Sequence, residues 1–272
     1  MMKLSVLLLI YFVTSAQGFC PSRCTCDGDY KNLQTKCYDA GLEVVPIQLN
    51  PNVRFINLTH NKIKGLHSSL SFYYELETLD ISENLLESLG SKNFLSQDNL
   101  RQLFLQKNTV RNLAKDAFKG MIKLEVLDLS DNQIDSIHST AFSDLASLIL
   151  LDLNNNSVIS VENNVFLNLM SLETLQFSNN QLLNVPQKEN FENMKKLTHL
   201  NLAGNLIEEI DNYSFSRLSQ LQTLLLSGNV LNEIYFLAFD GLVQLDFMDL
   251  SDNNLTVSFI AFIVIFIYCP IN

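Results

Sequence analysis

The stretch LEVLDLSDNQI, residues 124–134, crowds Asp128, Ser130, Asp131 and Asn132 among leucines. Spaced oxygen donors of this kind could hold a hard cation, as calcium loops do. They could equally belong to a structural unit whose signal is the leucines. The pattern LxxLxLxxNxL settles the question, because it recurs in nine registers starting at residues 53, 76, 100, 124, 148, 172, 197, 221 and 245. The asparagines fall at Asn61, Asn84, Asn108, Asn132, Asn156, Asn180, Asn205, Asn229 and Asn253, at spacings of 23 to 25 residues. A second column keeps the same period: Phe94, Phe118, Phe142, Phe166, Phe191, Phe215 and Phe239, with Leu70 in the corresponding place of the first repeat. The one extra residue of the sixth repeat lies within PQKEN (186–190), where an outer loop can absorb it.

A repeat of this length is one turn of a solenoid. The LxL alternation makes a short strand with one face inward and the other outward. Alone, such a strand cannot bury its leucines; stacking the next coil completes both the core and the strand pairing. The fold class expected is an α/β solenoid with a parallel sheet on one side and irregular or short helical turns on the other. Each asparagine follows its strand where the backbone turns inward and leaves polar groups outside any ladder. An amide both donates and accepts, so stacked asparagines would satisfy those groups from coil to coil. Leu124, Leu127, Leu129, Asn132 and Ile134 then build the coil, and Asp128, Ser130 and Asp131 face away from its core. The cation reading falls, since the ladder explains the spacing and the aspartates lack a loop to converge in.

The chain has 272 residues, 47% of them hydrophobic, with 18 Lys+Arg against 29 Asp+Glu and a formal charge of −11. Nothing basic is available to neutralise phosphates, which excludes nucleic acid as the expected partner. Residues 1–18 read as a secretory signal peptide: Lys3, an apolar run from Leu4 to Val13, and small residues Ala16 and Gly18 before a cut ahead of Phe19. Removing it leaves 17 − 29 = −12. Four of the five cysteines follow directly: Cys20, Cys24, Cys26 and Cys37. An even set in an exported chain implies two disulfides, for which three pairings exist. A zinc cluster fits poorly, because CxxxCxC is not a pair of CxxC motifs. The segments expected are thus the peptide, a cysteine-rich cap over 19–52, nine repeats over 53–255, and an apolar tail over 256–272.

With its cap CPSRCTC…C leading into VRFINLTHNKI and the repeats behind it, the chain resembles extracellular leucine-rich repeat proteins of the 24-residue type. These include the insect adhesion proteins chaoptin and connectin, the repeat blocks of Slit, and Toll-type receptor ectodomains. The resemblance implies a horseshoe with a concave parallel sheet and a disulfide N-terminal cap, paired Cys20–Cys26 and Cys24–Cys37. It also implies an extracellular protein-interaction module, since one scaffold of this kind serves many ligands.

The third, fifth and seventh positions of each repeat line the concave face of the strand, with the second and eighth flanking. Acids gather early and centrally on or beside them, at Glu77, Asp80, Glu83, Glu125, Asp128, Asp131, Asp152 and Glu173. Phe104, Leu225 and Phe247 add apolar side chains. The functional reading is a concave protein-binding face that favours a basic extracellular partner; the bland one is a row of ordinary solvated strand residues. Four N-x-S/T sequons mark glycosylation candidates at Asn57, Asn155, Asn212 and Asn254, with Asn212 on an outer segment. Enzyme readings fail: the four histidines are scattered over different coils, no HExxH, GxSxG, P-loop or GxGxxG occurs, and neither cofactor nor metal is implied.

The end is unusual for this class, because no second cysteine-rich cap follows the ninth repeat. Leu255–Ile271 reads as a short membrane segment, a lipid-anchor signal without its polar spacer, or the tail of a truncated product. An uncapped edge invites association, so homophilic contact stays open. Two functions remain. The chain is a secreted or cell-surface adhesion or recognition module, or a ligand-binding fragment or decoy of a Toll-type signalling receptor.

Overall fold

A computed structural model describes residues 19–256 apart from 30 and 92. The expected signal peptide, Cys269 and all but the first two residues of the apolar stretch 255–271 lie outside the described residues. In chain order the strands are β1 (Thr25–Asp27), β2 (Gln34–Lys36), β3 (Phe55–Asn57), β4 (Thr78–Asp80) and β5 (Gln102–Phe104). Then come β6 (Asn112–Leu113), β7 (Val126–Asp128), β8 (Ser136–Ile137), β9 (Leu150–Asp152) and β10 (Thr174–Gln176). The set closes with β11 (His199–Asn201), β12 (Glu209–Ile210), β13 (Thr223–Leu225), β14 (Glu233–Ile234) and β15 (Phe247–Asp249).

Eleven of them form one sheet in the order β1-β2-β3-β4-β5-β7-β9-β10-β11-β13-β15. All pairs are parallel except β1–β2, and the register is uniform: Val126 lies beside Leu150, Leu127 beside Leu151, Asp128 beside Asp152. The nine strands from β3 to β15 each open one coil, and the coils are numbered 1 to 9 in that order. The result is a parallel-sheet solenoid of about nine turns. Its outer side is mostly turns, with 3-10 helices at Ser69–Phe72 and Lys188–Phe191 and two small parallel sheets, β6–β8 and β12–β14. Helical content is thus slight, since each coil crosses to the next strand in tight turns.

Burial follows the two columns seen in the sequence. In coils 1 to 8 the middle residue of the inner strand, such as Leu103, Leu127 or Leu151, is buried, while its two neighbours face solvent in part; in β15, at the end of the described sheet, Met248 is only partly buried. Behind the strands the phenylalanines stack at centroid distances of 6.3, 5.7 and 6.1 Å from Phe94 to Phe166. A second run joins Phe191, Phe215 and Phe239 at 6.5 and 6.1 Å. Between the runs Phe177 occupies a place where most repeats carry leucine, and it meets Phe166 edge-on at 77°. The extra residue of the sixth repeat and the larger ring belong to the same coil. From that coil the fully buried Asn190 reaches back to coil 5, accepting the Phe166 N–H through its side-chain oxygen.

Each asparagine of the period performs the same task. Asn132 Oδ1 accepts the Val110 N–H of the preceding coil at 3.1 Å. Its Nδ2 donates to Leu105 O of that coil at 3.1 Å and to Leu129 O of its own at 3.0 Å. The set from Asn61 to Asn253 repeats this geometry. The partners are backbone groups at the turn, so the amides tie coil to coil without bonding one another.

The cap closes the first coil. Cys20 is bonded to Cys26 and Cys24 to Cys37, which is the pairing the resemblance implies. Strand β2 pairs parallel with β3 and adds one rung to the ladder, and the antiparallel β1 covers its edge. Buried Tyr73 of coil 1 reaches back to donate its hydroxyl to Pro46 O, and burial pushes its phenol up to about 12.

Replacing Asn132 by leucine leaves a buried N–H and three carbonyls, those of Leu105, Leu129 and Ser130, without that partner, at a cost of about 1–3 kcal/mol. Leu129→Ala removes buried methyl groups and costs about 2–5 kcal/mol through the cavity it leaves. Denaturant melts of the two variants measure both; wild-type stability in each would contradict this account of the coil.

Candidate functional site

A three-residue strand turns its first and third side chains to the open side of the sheet. Among the described residues this face is a strip nine coils long, edged by the residues entering and leaving each strand. The entry edge is partly neutralised: Arg54 forms ion pairs with Glu77 and Glu75, and Arg101 donates to Glu125. A cleft of about 180 Å³ lined by Lys31, Asn52, Arg54, Tyr74 and Glu75 opens beside it, at the seam between the cap and coil 1.

The exit edge carries a column that sequence reasoning missed. His60, Glu83, Lys107, Asp131, Asn155, Asn179, Gly204, Gly228 and Asp252, the eighth position of every repeat, all have φ between 52° and 65°. A turn held in the left-handed region favours glycine, asparagine and aspartate, and their recurrence at this position was the available signal. At Gly204 a Cβ would lie 2.3 Å from Asn179 Oδ1, so the Asn179 side chain fills the space a side chain there would need.

The left-handed residues form two short chains of contacts. In the first, Tyr38 stacks on His60 at 5.7 Å, His60 Nδ1 lies 3.1 Å from Glu83 Oε2, and Lys107 Nζ donates to Glu83 Oε1 at 2.9 Å. The hydrogen bond from Lys107, then that from His60, holds the Glu83 carboxyl below its ordinary range. In the second, Asn179 Nδ2 donates to Asn155 at 2.9 Å and Asn155 Nδ2 donates to Asp131 at 2.8 Å.

These contacts redraw the acidic face. Of the eight acids expected to form it, Glu77, Glu83 and Glu125 are ion-paired and contribute little net field. The fifth-position aspartates also have local work: Asp80, Asp128 and Asp152 accept the N–H two residues on, at 3.1, 2.9 and 2.9 Å. Asn57 and Asn201 do the same in their coils, so this turn explains the residue type without any ligand. Among the described residues Asp80, Asp128, Asp131, Asp152 and Glu173 form no ion pair; Asp80 stands in coil 2 and the other four over coils 4 to 6, where Asp131 feels the charge of Lys107. Burial, opposed by the Asn154 N–H and reinforced by Asp128 and Asp131, raises the Asp152 carboxyl to about 6.

The remaining expected residues are dispersed. Phe104 is half-buried beside Asp128, whereas Leu225 and the 56% exposed Phe247 lie over coils 8 and 9. Of the sequon asparagines, Asn57 lies in β3 and Asn155 belongs to the exit edge. Asn212 and Asn254 are exposed, and Asn212 Oδ1 accepts the Leu237 N–H. The described residues contain no group of three His, Cys, Asp or Glu able to hold a metal ion, and no helix long and apolar enough to cross a membrane.

A solenoid with an open sheet face and a disulfide cap defines a class of recognition scaffold. The leucine rich repeat family pattern matches residues 74–134, 98–158, 122–182, 182–231 and 196–255, more than half of the chain, and the chain belongs to that family, in its extracellular type. Human oligodendrocyte-myelin glycoprotein is 34% identical over 88 residues, 32% of this chain and 20% of that protein. A Caenorhabditis briggsae peroxidasin homolog is 38% identical over 66 residues, 24% of this chain and 5% of its own length. The matched region thus spans about a fifth or less of these curated relatives. Among solved structures, a chain from the octameric complex of Latrophilin 3, Unc5D and FLRT2 (LRR) superposes with a TM-score of 0.69 at 26% identity, over 89% of this chain and 81% of that one. A chain of the TLR13–ssRNA13 complex gives 0.69 at 26%, over 76% and 29%.

The raised Asp152 carboxyl has a defined consequence for stability. Between the ordinary aspartate value and about 6 the folded chain binds more protons than the unfolded one, so this residue makes stability fall as pH rises through that window. Asp152→Asn keeps an oxygen for the Asn154 N–H and removes the charge. Its melting temperature should exceed that of wild type near pH 7.5 and converge with it near about pH 4; parallel curves at all pH values would contradict the shift.

Proposed function

We propose that this chain is an extracellular protein-interaction module, acting in adhesion or recognition at the cell surface or in secreted form, that binds a protein ligand on its concave sheet face. The observation that carries the reading is the run of Asp128, Asp131, Asp152 and Glu173, none of them in an ion pair, beside the open face of the sheet. Such a face steers a partner bearing Lys or Arg and repels phosphate chains. The likeness to a chain from a complex that contains FLRT2 (LRR) with Unc5D and Latrophilin 3 supports a protein ligand. A second reading, a ligand-binding part or decoy of a Toll-type receptor, draws support from the likeness to TLR13. RNA is a poor ligand for this chain in either case, given its formal charge of −11. Export, with cleavage ahead of Phe19 and glycosylation at the exposed Asn212, belongs to the same reading.

A glycan wedge tests it. The double substitution Thr174→Asn and Gln176→Thr installs N-L-T in β10, at the centre of the face. The secreted chain and this variant are compared against a panel of extracellular immunoglobulin, thrombospondin-type and olfactomedin-type domains. Binding by wild type that the wedge abolishes supports the concave face; binding that survives a fully glycosylated wedge moves the site elsewhere.

A further inference from the structure

Coils 4 to 6 carry a second feature besides their charge, and it leaves the sheet face. The column entering the strands is charged or polar in every coil except coil 5, where Ile149 is 39% exposed. The next column inward turns aliphatic at the same place, with Val126 and Leu150 paired side by side between Gln102 and Thr174. On the lateral side, two residues before each repeat, Ile122 and Met170 are 54% and 51% exposed and flank Ala146. Asp98 and Lys195 take that position in the coils on either side, while exposed Tyr74 and Val243 occupy it singly near the two ends of the stack. Three columns therefore contribute apolar side chains around coil 5: Ile149 alone from the entry column, between Glu125 and Glu173, Val126 and Leu150 from the next, and Ile122, Ala146 and Met170 from the lateral one. Nothing in the coil architecture requires this, because all six positions lie outside the leucine and phenylalanine columns.

We infer that coils 4 to 6 form a docking saddle that continues from the sheet face over its entry edge onto the lateral side. It would grip a protein partner that presents aliphatic side chains beside a Lys/Arg cluster. The inference rests on the concave-face reading and adds the direction in which the partner extends. Charge selects the occupant. Asp128, Asp131 and Asp152 border the aliphatic residues on the far side of the face, without a paired cation, so the surface is apolar on one flank and anionic on the other. A second copy docked by two-fold symmetry would set this acidic border against itself or strand it opposite the aliphatic patch. Anionic lipid and nucleic acid are repelled on the same ground. An apolar anchor beside a complementary charge, by contrast, desolvates the aliphatic patch while steering the encounter.

The test uses three synthetic peptides of equal length: alternating Leu/Lys, Leu/Glu and Ser/Lys. Binding to the secreted chain is read by fluorescence anisotropy and mapped by cross-linking. The Leu/Lys peptide should bind at least about tenfold more tightly than either control and cross-link around Ile149. Ile122→Asp with Met170→Asp, both on exposed positions, should weaken it about tenfold, as should Asp128→Asn with Asp152→Asn. Unchanged melting curves for the lateral variant show that folding is intact. Equal binding of Ser/Lys, or cross-links outside coils 4 to 6, overturns the saddle. If the lateral variant binds like wild type while the acid variant and the β10 wedge do not, the partner stays on the sheet face: the saddle fails and the concave reading stands. If none of the three variants matters, both fail. Sedimentation that reveals a dimer dissolved by the lateral variant assigns the saddle to a second copy and overturns it as well.

Discussion

The whole structure depends on how the chain leaves each strand. A parallel coil must turn inward after three residues, which strands backbone N–H and C=O groups where no ladder reaches them. One asparagine per coil resolves this, accepting an N–H from the preceding coil and donating to carbonyls of both coils, as Asn132 does with Val110, Leu105 and Leu129. Without that amide, stacking would bury leucines only by also burying unpaired peptide groups, and the two costs are of similar size. The phenylalanine stacks do the complementary work on the outer side, where there is little regular hydrogen bonding to set the spacing.

The same turn shapes the recognition surface. Once the exit is tight, the eighth residue is forced into the left-handed region, and the fifth-position carboxylate is recruited to hold the N–H two residues on. A row of acidic and amide groups therefore borders the sheet face for reasons internal to the coil. Of the acids expected on the face, those outside ion pairs are Asp80 in coil 2 and Asp128, Asp131, Asp152 and Glu173 over coils 4 to 6, whereas Arg54, Arg101 and Lys107 pair with the glutamates of neighbouring coils. The nearest-neighbour character of a solenoid permits this division, since each coil answers only to the two beside it.

The repeat was legible because period, leucines and asparagines are all backbone requirements, and any sequence that folds this way must display them. The pairing state of the acids was not legible: Asp80, Asp128, Asp131, Asp152 and Glu173 stand free of ion pairs. Glu77, Glu83 and Glu125 are ion-paired, which the sequence did not show because their partners lie 23 or 24 residues away along the chain and one coil away in space. The left-handed column was written in the sequence and overlooked, since His60, Glu83 and Lys107 dilute its aspartates, asparagines and glycines.

By itself, then, the sequence determined the period, the buried columns, the cysteine content of the cap and the acidic balance, because each is set by composition and spacing along the chain. Only the tertiary structure decided which acids keep their field and which residues share an edge. Those properties arise between side chains of adjacent coils, and stacking places residues 24 apart within a few ångströms of one another.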